Sequence, residues 1–230
     1  MTTSSWAVII ASGKDEMLNP ETCTAFLNLQ NKPILSYSIT AFEHCPEIEG
    51  VIVVAPKDRL EQVVSVIQLF GAHKVRKIVP GGATQYASFV NGMKYVDESA
   101  KIILMHEASR PGIQASDATD IIKQTKKSGF AMAGHEMAEG VATINAKTFV
   151  VENYFEPGSV WTYGSPVAAS SEIIEKAISN VTKKKKPVKT LLEAITLLGQ
   201  NPRLVKSVMF PHKINSIEQL RSMENMGIPG

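Results

Sequence analysis

The sequence predicts an α/β fold built on a mostly parallel, three-layer sheet, and three observations support this prediction. Short apolar runs rich in Val and Ile alternate along the chain with segments of helical periodicity. These runs are nearly continuous, which is typical of strands that helices bury on both faces. The first run ends in Ser12 and Gly13, at the kind of strand-to-loop junction where α/β proteins bind ligands.

The alternation defines the predicted elements in order. Strands are expected at residues 6–11, 51–56, 74–81, 101–106, 130–136, 148–154 and 204–210, and helices at residues 33–42, 59–70, 84–95, 116–127, 170–181 and 189–198. Ser116 before Asp117, and Ser170 two residues before Glu172, are typical helix starts. The lysine run at residues 183–186 is interpreted as a solvated loop, with a phosphate-binding role as the alternative.

Residues 134–166 break this alternation and predict a projecting β-arm. The segment contains short strand-like runs, turn signals at Gly140 and Gly158, and several aromatic residues, among them Phe149 and Tyr154. Exposed aromatic side chains favour pairing with a second subunit through the arm. The alternative is that they pack back onto the parent domain.

Length and composition indicate one domain spanning residues 1–230, with 44% hydrophobic residues. A net charge of +2 favours neither a nucleic-acid nor a membrane partner. Cys23 and Cys45 are too few for a disulfide framework and are expected to be reduced thiols. We find no signal peptide and no apolar run of bilayer length, so a cytoplasmic location is expected.

Five short motifs follow one another along the chain. They are Ala11-Ser12-Gly13, Gly81-Gly82 with Ser88, Glu107 with Arg110-Pro111, Ser165-Pro166, and Lys213 before the final helix. Small residues after a buried strand let backbone amides approach a phosphate closely. In this order and spacing, the set resembles the 2-C-methyl-D-erythritol 4-phosphate cytidylyltransferase family and its relatives that use ribitol phosphate.

The resemblance covers nearly the whole chain and implies a Rossmann-like nucleotidyltransferase that is a homodimer through its β-arm. In this family a polyol phosphate attacks the α-phosphate of CTP with the help of Mg²⁺, and pyrophosphate leaves. Such a reaction requires positive charge around the phosphate that gains negative charge in the transition state.

The resemblance also implies roles for individual residues. Nucleotide binding falls to Ala11, Ser12, Gly13, Gly81, Gly82 and Ser88, acceptor binding to Arg110, the metal to Glu107, and catalysis to Lys213, with Lys14 as a second catalytic candidate that would partly substitute for the family's loop cations. For Lys213 the alternative is a surface lysine at the start of a helix. Lys14 is included because it is the single cation between Gly13 and Phe26.

The departures from the family pattern concern charge. The arginine and lysine of the family's first loop correspond to Met17 and Thr24, the metal aspartate to Glu107, and a second-motif arginine to Gln85. Asp15 and Glu16 add negative charge to the first loop. Loss of one transition-state donor typically lowers the rate by about a hundredfold to a thousandfold.

Three hypotheses follow. The first is a family member with the fold and dimer intact and cytidylyl transfer lost or very slow. The second is an active cytidylyltransferase whose phosphate contacts come from Lys14, Lys213, Arg110 and the lysine run. The third is a nucleotidyltransferase for another acceptor or base. Fold alone does not separate them.

Overall fold

Seven strands form the central sheet of the computed structural model, which describes residues 4–13, 23–207 and 212–226. The strands of this part of the chain are β1 (Ser5–Ile10), β2 (Asn28–Leu29), β3 (Lys32–Pro33), β4 (Ile48–Ala55), β5 (Val75–Pro80), β6 (Ile102–Glu107), β7 (Phe130–Glu136), β8 (Val141–Ile144), β9 (Val151–Phe155), β10 (Trp161–Ser170) and β11 (Arg203–Lys206). The sheet order is β11-β7-β10-β6-β1-β4-β5. Only β10 runs antiparallel to its neighbours, so the predicted mostly parallel sheet is confirmed.

Helices cover both faces of this sheet. Those in the described residues are α1 (Ile34–Glu43), α2 (Leu60–Leu69), α3 (Gln85–Met93), α4 (Ala115–Ser128), α5 (Ser171–Lys184), α6 (Leu191–Thr196) and α7 (Ile217–Met226). Ala7 and Ile9 of β1 pack in one buried cluster with α1, α2 and α4, whereas Val8 and Ile10 pack in another with α3, α5 and α6. Successive side chains of a strand point to opposite faces, which explains the apolar sequence of β1. None of these helices is long and apolar enough to cross a bilayer.

One predicted helix start is confirmed and the other is wrong. Ser170 caps α5, because its Oγ accepts a hydrogen bond from the backbone N–H of Ile173 at 3.4 Å. Ser116 does not cap α4, which begins one residue before it. There the carboxylate of Asp117 accepts the backbone N–H of Gln114 at 3.0 Å, so Asp117 stabilises a start further upstream.

The lysine run differs in part from its interpretation as a loop. Lys183 and Lys184 form the last turn of α5, where cations stabilise the carbonyl end of a helix. Lys185 and Lys186 follow the helix, and all four lysines are exposed.

Two strand predictions also need correction. The segment predicted at residues 148–154 contributes β9, which pairs with β8 in a separate two-stranded sheet. The seventh strand of the central sheet is β10, which the sequence analysis missed because Gly164 and Pro166 interrupt its apolar pattern. The last predicted strand corresponds to β11 up to residue 206, and its residues from 208 onward lie outside the described part.

The strands β8 and β9 form the predicted β-arm. Phe149 and Tyr154 are 76% and 77% exposed, and Tyr163 at the root of the arm is 62% exposed. The alternative in which these aromatics pack back onto the parent domain is therefore wrong for these three side chains, although Trp161 is half-buried.

Candidate active site

A cavity of about 460 Å³ lies where β1, β5 and β6 end. Because these strands are parallel, their carboxyl ends meet at one edge of the sheet, as expected for a ligand site. The described residues that line it are Ile10, Ala11, Ser12, Gly13, Thr24, Ala25, Gly82, Ala83, Thr84, Gln85, Ser88, Glu107, Ser109 and Lys213. The structure thus brings most of the predicted site residues together.

The turn between β5 and α3 packs closely against the end of β1. The Oγ of Ser88 accepts the backbone N–H of Gly82 at 2.9 Å and lies 3.1 Å from the Oγ of Ser12. A Cβ at Gly81 would lie 2.5 Å from that Ser12 Oγ, so the approach requires a glycine. Gly81 therefore packs against the side chain of Ser12 and does not line the cavity, whereas Ser12, Gly82 and Ser88 do.

Thr24 forms part of the cavity wall at the position where the family resemblance implies a lysine. Its side chain is only 2% exposed, and the adjacent Cys23 donates its Sγ–H to the carbonyl of Ala11 at 2.9 Å. Neither Cys23 nor Cys45 forms a disulfide, and both are buried. The predictions for Lys14 and for Met17 concern residues outside the described part.

Glu107, the last residue of β6, is the charged centre of the site. Its Oε2 accepts a hydrogen bond from Nε of Arg110 at 3.1 Å, and its Oε1 lies 3.4 Å from Nζ of Lys213. Burial alone would raise the pKa of this carboxyl. The charges of Lys213 and Arg110, with hydrogen bonds from Arg110 and Gln85, outweigh burial and hold the pKa of Glu107 below its usual value.

Gln85 bridges two elements at this point. Its Oε1 accepts the backbone N–H of Leu191 at 3.3 Å, and its amide lies close enough to the Glu107 carboxylate to help lower the pKa of that group. The first residue of α3 therefore connects the carboxylate to the start of α6. This neutral amide occupies the position where the resemblance implies an arginine.

A chain of hydrogen bonds fixes the backbone on both sides of Glu107. The backbone N–H of Glu107 donates to the Oγ of Ser165 at 2.9 Å, and that hydroxyl lies 3.2 Å from Nδ1 of His106. The Nε2 of His106 lies 3.2 Å from the carbonyl of Arg110. A neutral imidazole protonated at Nε2 satisfies every partner.

His106 is held in this neutral form. Its side chain is fully buried, and burial, followed by the nearby charge of Arg110, lowers its pKa to about 3. The histidine therefore positions the Glu107–Arg110 turn and carries no charge at neutral pH.

A second cavity, of about 310 Å³, adjoins the first on the side of β10. The two share Gln85, Glu107 and Lys213 as lining residues. Of these two cavities, Arg110 lines only the second, and its acceptor-binding role stays a prediction. The other described lining residues are Met105, Met132, Tyr163, Gly164, Ser165, Val167, Thr190, Leu192 and Glu193.

Sequence reasoning missed several of these contributions. Ser109 lines the larger cavity, and its carbonyl accepts the N–H of Ile214 at 2.8 Å, which attaches the Lys213 segment to β6. Nothing in the type or spacing of Ser109 signals this contact. Thr190 and Tyr163 line the second cavity through strand and helix positions that a linear sequence does not reveal.

The described residues offer Mg²⁺ one available carboxylate, that of Glu107. Glu107 is the only carboxylate among the described residues lining the larger cavity, and in the second cavity Glu193 is engaged by the backbone N–H of Lys189 at 2.6 Å. No group of three or more His, Cys, Asp or Glu side chains in the described part forms a metal site. Mg²⁺ commonly uses one or two carboxylates with substrate phosphates and water, so Glu107 would be its protein ligand here.

Comparison with known proteins agrees with this geometry. The family model for 2-C-methyl-D-erythritol 4-phosphate cytidylyltransferase matches residues 6–226. The protein of that name from Clostridium botulinum is 31% identical over 145 residues, which cover 63% of each chain and so a little under two thirds of that relative's length. The one from Desulforamulus reducens is 26% identical over 217 residues, or 93% of this chain and 92% of its own.

Solved structures show the same fold. The 4-diphosphocytidyl-2C-methyl-D-erythritol synthase from Anaerococcus prevotii superposes with a TM-score of 0.83 over 98% of both chains, at 17% identity. The cytidylyltransferase from Thermus thermophilus gives a TM-score of 0.75 over 96% of this chain and 98% of its own, also at 17% identity. At such identities the likeness concerns the fold alone. With the family model matching almost from end to end, the chain belongs to the 2-C-methyl-D-erythritol 4-phosphate cytidylyltransferase family.

Proposed function

We propose that this chain binds CTP weakly in the larger cavity and transfers CMP to a polyol phosphate very slowly or not at all. The observation that carries the proposal is the charge of the cavity wall. Among its described lining residues, Lys213 is the one cation, and it already pairs with Glu107. Thr24 and Gln85 are neutral where the family resemblance implies a lysine and an arginine.

A triphosphate needs more positive charge than this wall supplies. Phosphoryl-transfer sites stabilise the charge of the transition state with several cations or a metal, and each donor lost typically lowers the rate by about a hundredfold to a thousandfold. With Lys213 and Glu107 cancelling each other, the described wall is close to neutral. The hydrogen-bonded turn of Gly82 and Ser88 is intact, so nucleoside recognition is the part of the function best supported.

The alternative is an active enzyme that transfers CMP from CTP to methylerythritol phosphate or ribitol phosphate and releases pyrophosphate. One observation favours it. Arg110 and Lys213 both lie within hydrogen-bonding distance of Glu107, where the two cavities meet. With Mg²⁺ on Glu107, the two cations would face a triphosphate on one side and an acceptor phosphate on the other.

A homodimer through the β-arm is part of the same proposal. Phe149, Val150 and Tyr154 are 62–77% exposed in one arm, and burying such side chains is favourable. Sedimentation of the full chain should show a dimer. The variant Phe149→Ser with Tyr154→Ser should shift it towards the monomer, and a wild-type chain that is monomeric at micromolar concentration would contradict this part.

The test restores the missing cations. We expect wild-type protein with Mg²⁺ to show little or no thermal stabilisation by millimolar CTP. Met17→Arg with Thr24→Lys should strengthen CTP binding by at least about tenfold, because one lost donor accounts for more than that in catalysis. As a matched control, Gln68→Lys with Leu69→Arg adds the same charge on α2, where Leu69 is 76% exposed.

Thr24 is buried, so Met17→Arg alone serves as a second variant if the double variant is unstable. Pyrophosphate release should be measured with methylerythritol phosphate and with ribitol phosphate. Rapid turnover by the wild-type chain would overturn the proposal in favour of the active enzyme. Equal gains in the test and control variants would show that the cavity charge is not the cause.

A further inference from the structure

One carboxylate pairs with two cations at the boundary between the cavities. The side chains of Glu107 and Arg110 are only 18% and 14% exposed, and that of Lys213 is 38% exposed. Both oxygens of Glu107 are engaged, Oε2 by Arg110 and Oε1 by Lys213. The backbone N–H of Glu107 also donates to the Oγ of Ser165, so both the backbone and the carboxylate of Glu107 are held in position.

The arrangement makes both cations weaker partners for a phosphate. Glu193, the other carboxylate among the described lining residues, accepts two backbone N–H groups through its Oε2 at the start of α6. An anion that binds Lys213 or Arg110 therefore either shares that cation with Glu107 or displaces the Glu107 carboxylate. Sharing places two negative charges side by side, and displacement leaves a mostly buried carboxylate without its partners, so both are unfavourable.

We infer that Glu107 acts as an internal anion that excludes phosphate ligands from Lys213 and Arg110 as long as its carboxylate is not occupied by a cation. Glutamate suits this role because its extra methylene, relative to the aspartate of the family pattern, lets the carboxylate reach Lys213. The inference rests on the proposed function only in treating the cavity as a phosphate site. It predicts that removing the negative charge of the Glu107 side chain strengthens the binding of anions in the cavities.

The experiment is a calorimetric titration of the full chain with inorganic pyrophosphate, at low salt and in EDTA. Glu107→Gln keeps the shape of the side chain and removes its charge, so we expect pyrophosphate to bind at least about tenfold more tightly than to wild type. Glu107→Asp retracts the carboxylate by about 1.5 Å and should give a smaller gain of about threefold. Glu136→Gln is the matched control, because Glu136 pairs with Lys206 at 3.7 Å and lines neither cavity.

The control variant should stay within about twofold of wild type. Unchanged or weaker binding by Glu107→Gln would overturn the inference, and so would an equal gain in Glu136→Gln, which would assign the effect to net charge. If Glu107→Gln does not fold, the absence of a gain in Glu107→Asp overturns it as well. The titration contains no metal and no turnover, so its result does not depend on whether the enzyme is active. Rapid CMP transfer by wild type would contradict the proposed function, whereas only the pyrophosphate affinities decide the role of Glu107.

Discussion

Gly164 of β10 lies directly against the guanidinium of Arg110. A Cβ at this position would lie 2.7 Å from both Cζ and Nη1 of Arg110, closer than real contacts allow. The neighbouring atoms belong to the end of a long side chain, so Gly164→Ala should move the arginine and leave the strand in place. The displaced guanidinium then loses its 3.1 Å hydrogen bond to Glu107.

The expected magnitude follows from the burial of the pair. Arg110 and Glu107 are little exposed, and a hydrogen bond between charged groups contributes about 1.5–3 kcal/mol. Alanine in place of glycine within a strand offsets about 0.5–1 kcal/mol of this. We expect Gly164→Ala to lower the free energy of unfolding by about 1–2 kcal/mol and Tm by about 2–8 °C.

A double-mutant cycle with Arg110→Ala isolates the cause. Without the guanidinium, Gly164→Ala has nothing to displace and should be neutral or slightly stabilising, so the coupling between the two sites should be about 1–3 kcal/mol. Urea denaturation of the four proteins measures it. An equal loss of stability in both backgrounds would refute the reasoning and place the cost in the strand itself.

Two further predictions concern buried polar groups. Burial and Arg110 lower the pKa of His106 to about 3. Between pH 6.5 and pH 3 the unfolded chain therefore binds a proton that the folded chain does not. The free energy of unfolding should fall as the pH drops through this range, by up to about 1.4 kcal/mol per pH unit. Urea denaturation from pH 7 to pH 4 should show a smaller fall for His106→Gln, and parallel curves would contradict the assignment. Ser88→Ala should cost about 1–3 kcal/mol, because it leaves the N–H of Gly82 without its 2.9 Å acceptor, and denaturation midpoints that match wild type would show that water replaces the hydroxyl.

The sequence predicts the parts of the fold that depend on local pattern. The strands β1, β4 and β6 contain continuous apolar runs. The helices α1 to α6 begin and end within a few residues of the positions that the sequence predicts. β10 escapes prediction because its central residues include Gly164 and Pro166, and because its partners β6 and β7 come from distant parts of the chain. The prediction of a single domain over residues 1–230 stays a prediction.

In the candidate site too, the sequence predicts what depends on local pattern and not what depends on contacts between distant elements. The cluster of Ser12, Gly82 and Ser88 is predictable, since each residue lies just after a parallel strand or at the start of the helix that follows one. The pairing of Glu107 with both Lys213 and Arg110 is not, because it depends on side-chain conformations between elements far apart in sequence. The contact between His106 and Ser165 likewise requires β10 to lie beside β6, which the missed strand concealed.

The strand β10 joins two regions that otherwise look independent. Its first residues, from Trp161, leave the exposed arm, and four positions later the Ser165 hydroxyl holds the backbone of Glu107. The strand β10 thus forms a mechanical link between the exposed arm and the candidate site. Shortening or rigidifying the arm is therefore not a neutral change, and any variant made there should be checked for altered geometry at the carboxylate as well as for altered assembly.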